Sequence, residues 1–593
     1  MHRGRLARNG ARHLTERSQS RANKVARVIK ERLGQVKVGS LGLLPDIPFN
    51  VRVLIDAGIV RPTRPDRLAG VLRELRRWGA SPAAGVGAAA IRYPNEPMII
   101  DELGELTFAE VQERSNKLAR AFAEQGISEG DGIAILARNH RGFVDTLLAA
   151  SKLGANCLFM NTMFSGPQLV DVVDREDPKA VVYDEEFLEV MEKVNVDVKR
   201  FVAWAEDGGT DDPTIESLIE EEEDSSDLKP PESSSKFIVL TSGTTGTPKG
   251  AQRGQPDTLG PIAALLSKIP LKARGTTVIA APLFHSWGFA HFSIGLSLSA
   301  TYVLRRKFDP EETLKAIEEN KASALIVVPV MLQRILQLDD DVIEKHDLST
   351  LKATCASGSA LPGELATEWM DATGDNLYNL YGSTEVAWAT IATPEDLREA
   401  PGTAGRIPHG TVLKIYDEDG KELPQGETGR IFVGNEMKFE GYTGGGNKDV
   451  IDGLLSSGDV GHLDSEERLF IDGRDDEMIV SGGENVFPRE VEDLLASHKA
   501  VDEAAVIGVD DEKYGQALKA FVVLTSSGSL DEDGAKKYVK ENLAGYKVPR
   551  EVEFMDELPR NATGKVVKRE LEESDEEGED EESSDSESSS DDD

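Results

Sequence analysis

The segment TSGTTGTPKG at residues 241–250 combines glycines, hydroxyl side chains and one lysine, a composition typical of phosphate-binding loops. Glycines let the backbone approach phosphate oxygens, and the hydroxyls donate hydrogen bonds to them. The nucleotide-hydrolysing P-loop has the pattern GxxxxGK[ST], whose last hydroxyl binds magnesium. Counted from Gly243, this pattern requires a glycine where Pro248 stands and a hydroxyl where Gly250 stands. The segment is therefore predicted to bind phosphate in a different chemistry.

The chain around this segment alternates short apolar runs with helical patterns. GIAILA (132–137) and FIVL (237–240) are typical of buried strands. LTFAEVQERSNKLARAFAEQG (106–126) has helical spacing, with Phe108, Val111, Leu118 and Phe122 on one face. A chain of 593 residues is too long for one core. The sequence therefore predicts an α/β protein of two or more domains, with largely parallel sheets in the larger one.

The pattern of helix-like and strand-like segments changes after Arg474. VFPREVEDLLASH (486–498) is typical of a helix with Pro488 in its first turn, and two strand-like runs follow it. This pattern predicts a small α+β domain of about 100 residues. The expected fold class is thus α/β, with a large N-terminal domain of mixed and parallel sheets and helices, and a small mobile α+β C-terminal domain.

Charge is spread unevenly along the chain, whose net charge is −39. Residues 1–80 carry 18 Lys/Arg and 6 Asp/Glu, giving +12, whereas residues 571–593 carry 14 Asp/Glu and no Lys/Arg, giving −14. The acidic tail is expected to be disordered because it cannot bury a core. The chain between these two segments is also acidic, which argues against nucleic acid as a partner, since binding a polyphosphate backbone requires clustered cations. Small anionic ligands need only a local positive site.

The Arg-rich residues 1–37 carry an apolar stripe of Val25, Val28, Ile29 and Leu33 at helical spacing. Three interpretations stay open: an amphipathic helix on an anionic membrane, a solvated helix packed on its own protein, or a transit peptide. No apolar stretch is long enough for a transmembrane helix. The two cysteines have no CxxC partner, which argues against a zinc site or disulfide framework and favours a reducing compartment. The expected location is cytoplasmic, with peripheral membrane contact as the alternative and the oligomeric state open.

TSGTTGTPKG resembles the phosphate loop of the adenylate-forming superfamily, which includes acyl-CoA synthetases, firefly luciferases and peptide-synthetase adenylation domains. Further segments resemble the family's later motifs, in the same order: NLYNLYGSTE (376–385), GETGRIFVG (426–434), SSGDVGHLD (456–464), IDGRDDEMIVSGGENVFPREVE (471–492) and PRNATGKVVKREL (559–571). Six motifs in the family's order are very specific for this superfamily. The resemblance implies a large AMP-binding adenylation domain over 91–473 and a small C-terminal domain over 474–570. A basic extension (1–90) and the acidic tail (571–593) lie outside it.

The resemblance implies two half-reactions with ATP, Mg²⁺ and coenzyme A. A carboxylate attacks the α-phosphate of ATP to give an acyl-adenylate and pyrophosphate, and a thiol then takes the acyl group. Because an anion attacks an anion, catalysis must rest on positioning and charge neutralisation. Lys565 is expected to bridge the carboxylate and the α-phosphate. Glu385 is the expected magnesium ligand, and Thr384 is expected to give a hydroxyl to a phosphate.

The nucleotide contacts implied by the resemblance involve four groups of residues. They are the phosphate loop (Thr241, Ser242, Gly243, Thr244, Thr245, Gly246 and Lys249), the adenine wall (Gly358, Ser359 and Ala360), the adenine face (Tyr381 and Gly382) and the ribose partners (Asp459 and Arg474). Asp476 matches the family's hinge position. Gly482 and Gly483 would line a tunnel for the pantetheine arm of coenzyme A, although SGGEN is also compatible with a simple tight turn.

The acid-binding pocket is expected around PLFHSWG (282–288), with His285, Trp287 and Trp388 as its walls. His285 is either a gate or a packing residue. Amino-acid-activating relatives usually have an aspartate near this position, and its absence argues against an amino-acid substrate. Apolar walls favour a fatty or aromatic carboxylate, and a medium- or long-chain fatty acid is the leading prediction. The alternatives are a fatty acyl-AMP ligase that loads a carrier protein, a CoA ligase for an aromatic acid, and a non-catalytic protein that has kept the fold.

Overall fold

The computed structural model describes residues 47–194, 198–206, 210–241, 249–253, 258–437, 439–443, 445–475, 477–481, 484–511, 515–561 and 564–573. The helices of the large domain are α1 (Ile47–Asp56), α2 (Pro65–Trp78), α3 (Pro82–Arg92), α4 (Phe108–Glu124), α5 (Arg141–Leu153), α6 (Gly166–Glu176), α7 (Leu188–Met191), α8 (Ile215–Glu221), α9 (Gly260–Leu266), α10 (Ser286–Leu298), α11 (Pro310–Glu319), α12 (Pro329–Leu336), α13 (Asp340–Glu344), α14 (Gly363–Thr373) and α15 (Pro394–Glu399). Among these described residues, no helix is both long and apolar enough to cross a bilayer.

The strands of the large domain are short and belong to two sheets. They are β1 (Pro97–Asp101), β2 (Gly104–Thr107), β3 (Gly132–Leu136), β4 (Asn156–Phe159), β5 (Ala180–Asp184), β6 (Lys199–Trp204), β7 (Phe237–Thr241), β8 (Lys249–Arg253), β9 (Thr276–Ile279), β10 (Thr301–Leu304), β11 (Ala324–Val327), β12 (Ala353–Ala356), β13 (Leu377–Tyr381), β14 (Thr390–Ala392), β15 (Gly405–Arg406), β16 (Val412–Tyr416), β17 (Gly429–Gly434), β18 (Phe439–Tyr442), β19 (Val450–Ile451), β20 (Leu454–Leu463) and β21 (Arg468–Arg474).

The first sheet has the strand order β16-β17-β20-β21-β15-β14-β13-β12-β11-β9-β10-β1-β2, with β19 beside β20. Its segment from β13 to β1 is parallel, and its two ends are antiparallel. The second sheet has the order β18-β8-β7-β4-β3-β5-β6 and is parallel except at β8 and β18. One apolar core joins both sheets through the helices between them. The predicted α/β class with mixed sheets is confirmed.

Helix α4 shows how the sequence pattern translates into packing. Phe108, Val111, Leu118 and Phe122, predicted to share one face, are all buried in the main core. The helix begins with a capping box in which Thr107 and Glu110 exchange hydrogen bonds, so two free backbone amides are satisfied.

The basic extension predicted for residues 1–90 stays a prediction as a domain; the structure describes its residues 47–90, and residues 1–46 lie outside the described part. Helices α1, α2 and α3 fold onto the large domain, and α3 packs so closely on α10 that a Cβ on Gly85 would lie 2.9 Å from the Cβ of Leu296. Val86 is fully buried in the main core. Arg73 and Arg76 of α2 are exposed to solvent, while the Ala- and Gly-rich helix α3 beside it is largely buried.

The segment around TSGTTGTPKG connects two antiparallel strands. Thr241 at the end of β7 pairs with Lys249 at the start of β8, and residues 242–248 lie outside the described part. A P-loop instead connects a strand to a helix. Gly250 is also required by packing, because a Cβ there would lie 2.6 Å from Oγ1 of Thr443 and 2.8 Å from Cγ2 of Ile238. The structure agrees with the prediction that this segment is not a P-loop.

The small domain follows β21 and has its own core. Its strands are β22 (Ile479–Ser481), β23 (Glu484–Val486), β24 (Val501–Asp511), β25 (Gly515–Leu524) and β26 (Glu551–Met555), and its helices are α16 (Pro488–Ala496) and α17 (Glu532–Asn542). The boundary of the acidic tail at residue 571 needs correction, because Leu571 is buried against Ile507 and Phe521. An apolar side chain at the end of the lysine motif thus belongs to the small domain, and residues 574–593 lie outside the described part.

Candidate active site

A cleft of about 1940 Å³ lies between the two domains. The large domain contributes Gly358, Tyr381, Glu385 and Asp459 to its walls, and the small domain contributes Lys565. Lys565 is more than a hundred positions from each of these four residues in the chain, yet all five line one space. The cleft is therefore the candidate active site.

Asp459 lies at the centre of a short hydrogen-bonded chain. It faces Arg474 directly across the antiparallel pair β20–β21, with Nη1 of Arg474 3.5 Å from Oδ1 of Asp459. The Tyr381 hydroxyl donates to Oδ2 of Asp459 at 2.6 Å. Burial raises the pKa of Asp459, although the positive charges of Arg474 and Lys565 oppose this. A partly desolvated carboxylate of this kind is a strong acceptor for ribose hydroxyls.

Small residues form another part of the cleft wall that contains Asp459. Gly358 has φ +99°, a conformation that favours glycine, and Ser359 and Ala360 follow it along the cleft. A Cβ on Gly382 would collide with the carbonyl oxygen of Ala387. The structure thus brings the predicted adenine residues together, and the phenol ring of Tyr381 is fixed at its hydroxyl end by Asp459.

Glu385 is held from two sides. Its Oε2 accepts from the Ser383 hydroxyl at 2.9 Å, and its Oε1 accepts from the Tyr442 hydroxyl at 2.7 Å. The side chain is only 7% exposed, and Thr384 beside it is also buried. No group of three or more His, Cys, Asp or Glu side chains that could hold a metal occurs among the described residues. One ordered carboxylate fits Mg²⁺, which binds proteins through one or two carboxylates and completes its shell with substrate phosphates and water.

Tyr442 is a site residue that the sequence analysis missed. It lies on β18 beside β8, and the ammonium of Lys249 is 5.7 Å from the centre of its ring. Burial and the neighbouring Glu385 raise the pKa of the Tyr442 hydroxyl, which therefore stays protonated as a donor. Tyr442 thus connects the lysine of the phosphate segment to the predicted magnesium ligand.

Several predicted residues lie outside the described part of the chain. They are Ser242, Gly243, Thr244, Thr245 and Gly246 of the phosphate loop, the hinge residue Asp476 and the tunnel residues Gly482 and Gly483. The structure describes the backbone of Thr241 at the end of β7. The roles predicted for these residues stay predictions.

Lys565 is presented by a loop that closes on itself. The backbone N–H of Asn561 donates to the carbonyl of Lys565 at 2.9 Å, and Oδ1 of Asn561 accepts from the N–H of Lys565 at 3.0 Å. Gly564 has φ +76°, and a Cβ there would collide with Val330 of the large domain. The loop is therefore pressed against α12, with Lys565 at the cleft on the side of Asp459.

One further contact joins the two domains, and another lies within the small domain beside the lysine motif. Across the domain boundary, Asp502 accepts hydrogen bonds from the side-chain amides of Gln333 at 3.2 Å and Gln337 at 3.3 Å. Within the small domain, Lys568 lies 3.0 Å from Glu477 and 2.8 Å from Glu492. Burial alone would lower the pKa of Lys568, but the two carboxylates outweigh it and raise that pKa. The observed arrangement is one in which Lys565 is delivered to the cleft.

The part of the cleft around PLFHSWG, which is predicted to bind the acid, is aromatic. Trp287 is fixed by donating from Nε1 to the carbonyl of Val327 at 2.9 Å, and Trp388 lines the cleft in a half-buried position. His285 precedes α10, and its Nδ1 accepts from the N–H of Trp287 at 3.4 Å. Burial lowers the pKa of His285 to about 4, so the imidazole is neutral at physiological pH. These three predicted residues line the same cleft, and His285 lies beside Gly358 at the start of the predicted adenine wall.

Comparisons with known proteins agree with this division of the chain. A family model described as AMP-binding enzyme matches residues 87–443, and another described as AMP-binding enzyme C-terminal domain matches residues 490–565. Indoleacetate–CoA ligase of Aromatoleum aromaticum is 31% identical, over 82% of this chain and 94% of its own. 2-Succinylbenzoate–CoA ligase of Geobacillus kaustophilus is 32% identical, over 81% and 96%. The crystal structure of the anthranilate CoA ligase AuaEII with anthranoyl-AMP has a TM-score of 0.75 at 26% identity, over 83% and 97%.

Proposed function

The chain belongs to the AMP-binding enzyme family, and on this premise we propose that it joins an aromatic carboxylic acid to coenzyme A. The protein is an ATP-dependent acid–CoA ligase that works through an acyl-adenylate. In the first step the carboxylate attacks the α-phosphate and pyrophosphate leaves. In the second step the thiol of coenzyme A attacks the acyl carbonyl and AMP leaves. The aromatic character of the acid goes beyond this reaction class and is the part that we propose.

The large domain holds the nucleotide in this proposal. Asp459 accepts from the ribose hydroxyls, and Arg474 keeps the charge of that carboxylate balanced. Tyr381 and the backbone from Gly358 to Ala360 enclose the adenine. Because strand pairing sets Asp459 and Arg474, ATP is held in one orientation before the acid attacks, which lowers the entropic cost of reaction.

The anionic attack requires positive charge, and Lys565 supplies it. Lys565 lines the cleft with its backbone locked by Asn561, and in this proposal its ammonium bridges the bound carboxylate and the α-phosphate. Negative charge grows on the phosphate in the transition state, and a fixed cation there stabilises that state more than the ground state. Mg²⁺, when bound with ATP, neutralises phosphate charge. Glu385 would hold it, while Ser383 and Tyr442 orient the Glu385 carboxylate.

The aromatic wall at the acid end supports an aromatic substrate. Phe237 and Phe289 lie with ring centres 4.7 Å apart and line the cleft together with Phe284, Trp388 and the neutral His285. Flat rings in offset or edge contact with a flat substrate gain more than area burial alone. No Asp or Glu occurs in PLFHSWG to hold an ammonium group. The two CoA-ligase relatives and the anthranilate CoA ligase structure support the same class by their names.

A medium- or long-chain fatty acid, the leading prediction from the sequence, is the second candidate. The observation in its favour is the size of the cleft, about 1940 Å³, which extends to Val71 of α2 and Ala88 of α3. Part of this volume must accommodate ATP and the pantetheine arm, so it does not by itself require a long chain.

A panel of acids tests the proposal. Indoleacetate, benzoate, anthranilate and ferulate are compared with acetate, octanoate and palmitate for pyrophosphate exchange and for thioester formation with coenzyme A. We expect the highest kcat/KM with an aromatic acid, and octanoate or palmitate as the best substrate would overturn the aromatic proposal. Acyl-adenylate that accumulates without a thioester would instead indicate transfer to a carrier protein.

A further inference from the structure

Helix α2 presents an apolar ridge to solvent. Leu68, Leu72 and Leu75 are 44%, 55% and 46% exposed, and their spacing places them on one side of the helix. The other side is the one that packs, with Val71, Glu74 and Trp78 buried. Three neighbouring exposed leucines on one helix differ from the single apolar side chains that are normal on protein surfaces. We call these three leucines the leucine ridge.

Arginines flank the leucine ridge. Residues 61–77 contain six arginines, Asp66 and Glu74, so this segment has a net charge of +4 in a chain of net charge −39. Arg73 and Arg76 are exposed beside the ridge. Arg77 by contrast is used within the protein, since it pairs with Glu74 at 3.1 Å and Asp227 at 3.3 Å. The exposed face of α2 is therefore both apolar and cationic.

Three occupants can be compared for this face. The upstream segment 1–46 has apolar side chains to offer, but its 11 Lys/Arg against 3 Asp/Glu would repel the arginines. The tail from residue 574 onward has the opposite charge but no leucine, isoleucine, valine or aromatic side chain to cover the ridge. An anionic lipid surface matches both properties, because acyl chains accept the leucines and phosphates accept the arginines.

We propose that α2 docks the enzyme peripherally on an anionic lipid surface, with the leucine ridge inserted at the headgroup boundary. The helix would lie in the plane of the surface, as amphipathic interfacial helices do. Val71 and Leu75 of the same helix line the cleft, so the docked face lies beside an opening of the candidate active site. An apolar acid dissolved in the lipid would reach the cleft at this opening. The docking itself does not depend on which acid the enzyme uses.

Vesicle sedimentation with the full chain tests the docking. The probes are phosphatidylcholine vesicles with and without about 30% phosphatidylglycerol, because anionic lipid supplies the attraction for the arginines. We expect binding to the anionic vesicles only, and release at high salt because screening weakens the attraction. Equal binding to both vesicle types, or no binding to either, would overturn the proposal.

Two double variants test the apolar part and the cationic part of the exposed face separately. Leu68→Gln with Leu72→Gln keeps helix propensity and should lower the partition coefficient at least about tenfold, since two apolar side chains no longer leave water. Arg73→Gln with Arg76→Gln should lower it by roughly tenfold as well. Neither pair lines the cleft, so thioester formation with a soluble acid should stay at the wild-type rate.

Matched controls use exposed side chains elsewhere. Leu103→Gln and Val450→Gln replace apolar residues that are 63% and 54% exposed, and Lys345→Gln removes an exposed cation. These controls should bind vesicles like the wild type. Vesicle binding by the α2 variants at the level of the controls would show that another surface docks.

A fluorescent label tests whether the ridge is already covered within the protein. Cys157 and Cys355 are buried, so an environment-sensitive fluorophore on Leu72→Cys labels one accessible position. We expect the emission of a polar environment without lipid and a blue shift with anionic vesicles. A blue-shifted emission before lipid is added would show that residues 1–46 or another segment cover the ridge. A shift that depends on protein concentration would indicate a second copy, and either result would overturn the proposal.

Discussion

The large domain holds Asp459 by pairing β20 with β21, whereas the small domain holds Lys565 on a loop closed by its own hydrogen bonds. Asp459 and Arg474 are partners in a strand ladder that continues on both sides through β17 and β15. The loop of Lys565 touches the large domain through Gly564, which packs on Val330. The first arrangement can change only if a sheet breaks, and the second needs only the loss of surface contacts.

This difference assigns separate tasks to the two domains. Strand pairing fixes the proposed nucleotide partners Asp459 and Arg474, so we expect them to provide binding and orientation in both half-reactions. The lysine is held by contacts that can be released, as expected for a group needed in only one of them. Substitutions in the two regions should therefore affect different kinetic parameters.

Lys565→Ala should give the largest effect. Loss of the ammonium removes charge stabilisation from the first step, so pyrophosphate exchange should fall by at least about a hundredfold. Thioester formation from supplied acyl-adenylate should remain within a few-fold of the wild type. Lys537→Ala, which removes an exposed lysine of α17, is the matched control and should change neither rate. An equal loss of both half-reactions in Lys565→Ala would contradict the division of tasks.

Asp459→Asn should mainly weaken ATP binding. A hydrogen bond to a charged group contributes about 1.5–3 kcal/mol, so the KM for ATP should rise roughly ten- to hundredfold while the small domain still delivers Lys565. Asp472→Asn on the neighbouring strand, where the carboxylate pairs with His462 at 2.9 Å, is the control. An unchanged KM for ATP would remove Asp459 from the proposed ribose site.

The pH dependence of ATP binding offers a second test of Asp459. Burial raises the pKa of this carboxyl group, so it becomes protonated at a higher pH than an exposed aspartate does. The charged form binds the ribose, and affinity for ATP should therefore fall as pH is lowered through this raised pKa. Asp459→Asn should lack that acidic limb, which equilibrium binding of ATP at a series of pH values would detect.

Tyr442→Phe should have an intermediate effect because it acts through Glu385. Without the hydroxyl at 2.7 Å, the carboxylate loses one of two groups that orient it. Outer-shell partners of this kind typically change metal affinity by about 10–100-fold, and we expect a rise of about tenfold in the half-saturating Mg²⁺ concentration. Mn²⁺ binding in the presence of a non-hydrolysable ATP analogue gives a readout independent of turnover.

The control for Tyr442→Phe is Tyr416→Phe, a substitution outside the cleft. It removes a hydroxyl that donates a hydrogen bond of 3.0 Å to Asp452. It should leave metal binding unchanged. If both tyrosine variants shift metal binding equally, the effect is a general loss of stability.

The sequence predicted those site residues that lie in contiguous motifs. Asp459, Arg474, Glu385 and Lys565 each stand at a fixed place in a short segment, and the structure brings them to one cleft. Tyr442 could not be found in this way because its partner Glu385 is 57 residues earlier in the chain. Its local sequence is a tyrosine at the end of β18 followed by a Gly-rich segment, and a tyrosine in that setting is equally typical of an ordinary surface loop.

The fold was predicted better at its centre than at its ends. Alternating apolar runs identified the α/β sheets, since parallel strands buried on both faces have a distinctive composition. The N-terminal helices were missed because the charge of α2 dominated the composition, while the contacts of α3 depend on small side chains such as Ala84 and Gly85. Close approach between helices leaves no periodic pattern of large residues. Leu571 was assigned to the tail for a similar reason, since its acidic neighbours concealed one buried side chain.

Asp502→Ala should give the smallest effect and tests the releasable contact directly. It removes the acceptor for Gln333 and Gln337. These two glutamines of the large domain precede Asp502 by 169 and 165 residues in the chain. Asp502 is a charged acceptor, but its hydrogen bonds are only part-buried or exposed, where water competes for them. We therefore expect a contribution of about 0.5–1.5 kcal/mol and a fall of about threefold in the population that presents Lys565. Pyrophosphate exchange should decrease by the same factor, with the KM for ATP unchanged because Asp459 and Arg474 are untouched.

The second half-reaction decides what this small effect means. If the contact stabilises only the arrangement that delivers Lys565, thioester formation from supplied acyl-adenylate should be unchanged or faster in Asp502→Ala, since less free energy opposes the release of the small domain. Asp533→Ala, an exposed aspartate in the first turn of α17, is the control and should change neither step. If Asp502→Ala slows both half-reactions equally, the contact holds the small domain together in every arrangement, and the contrast between a fixed and a releasable half of the site is wrong.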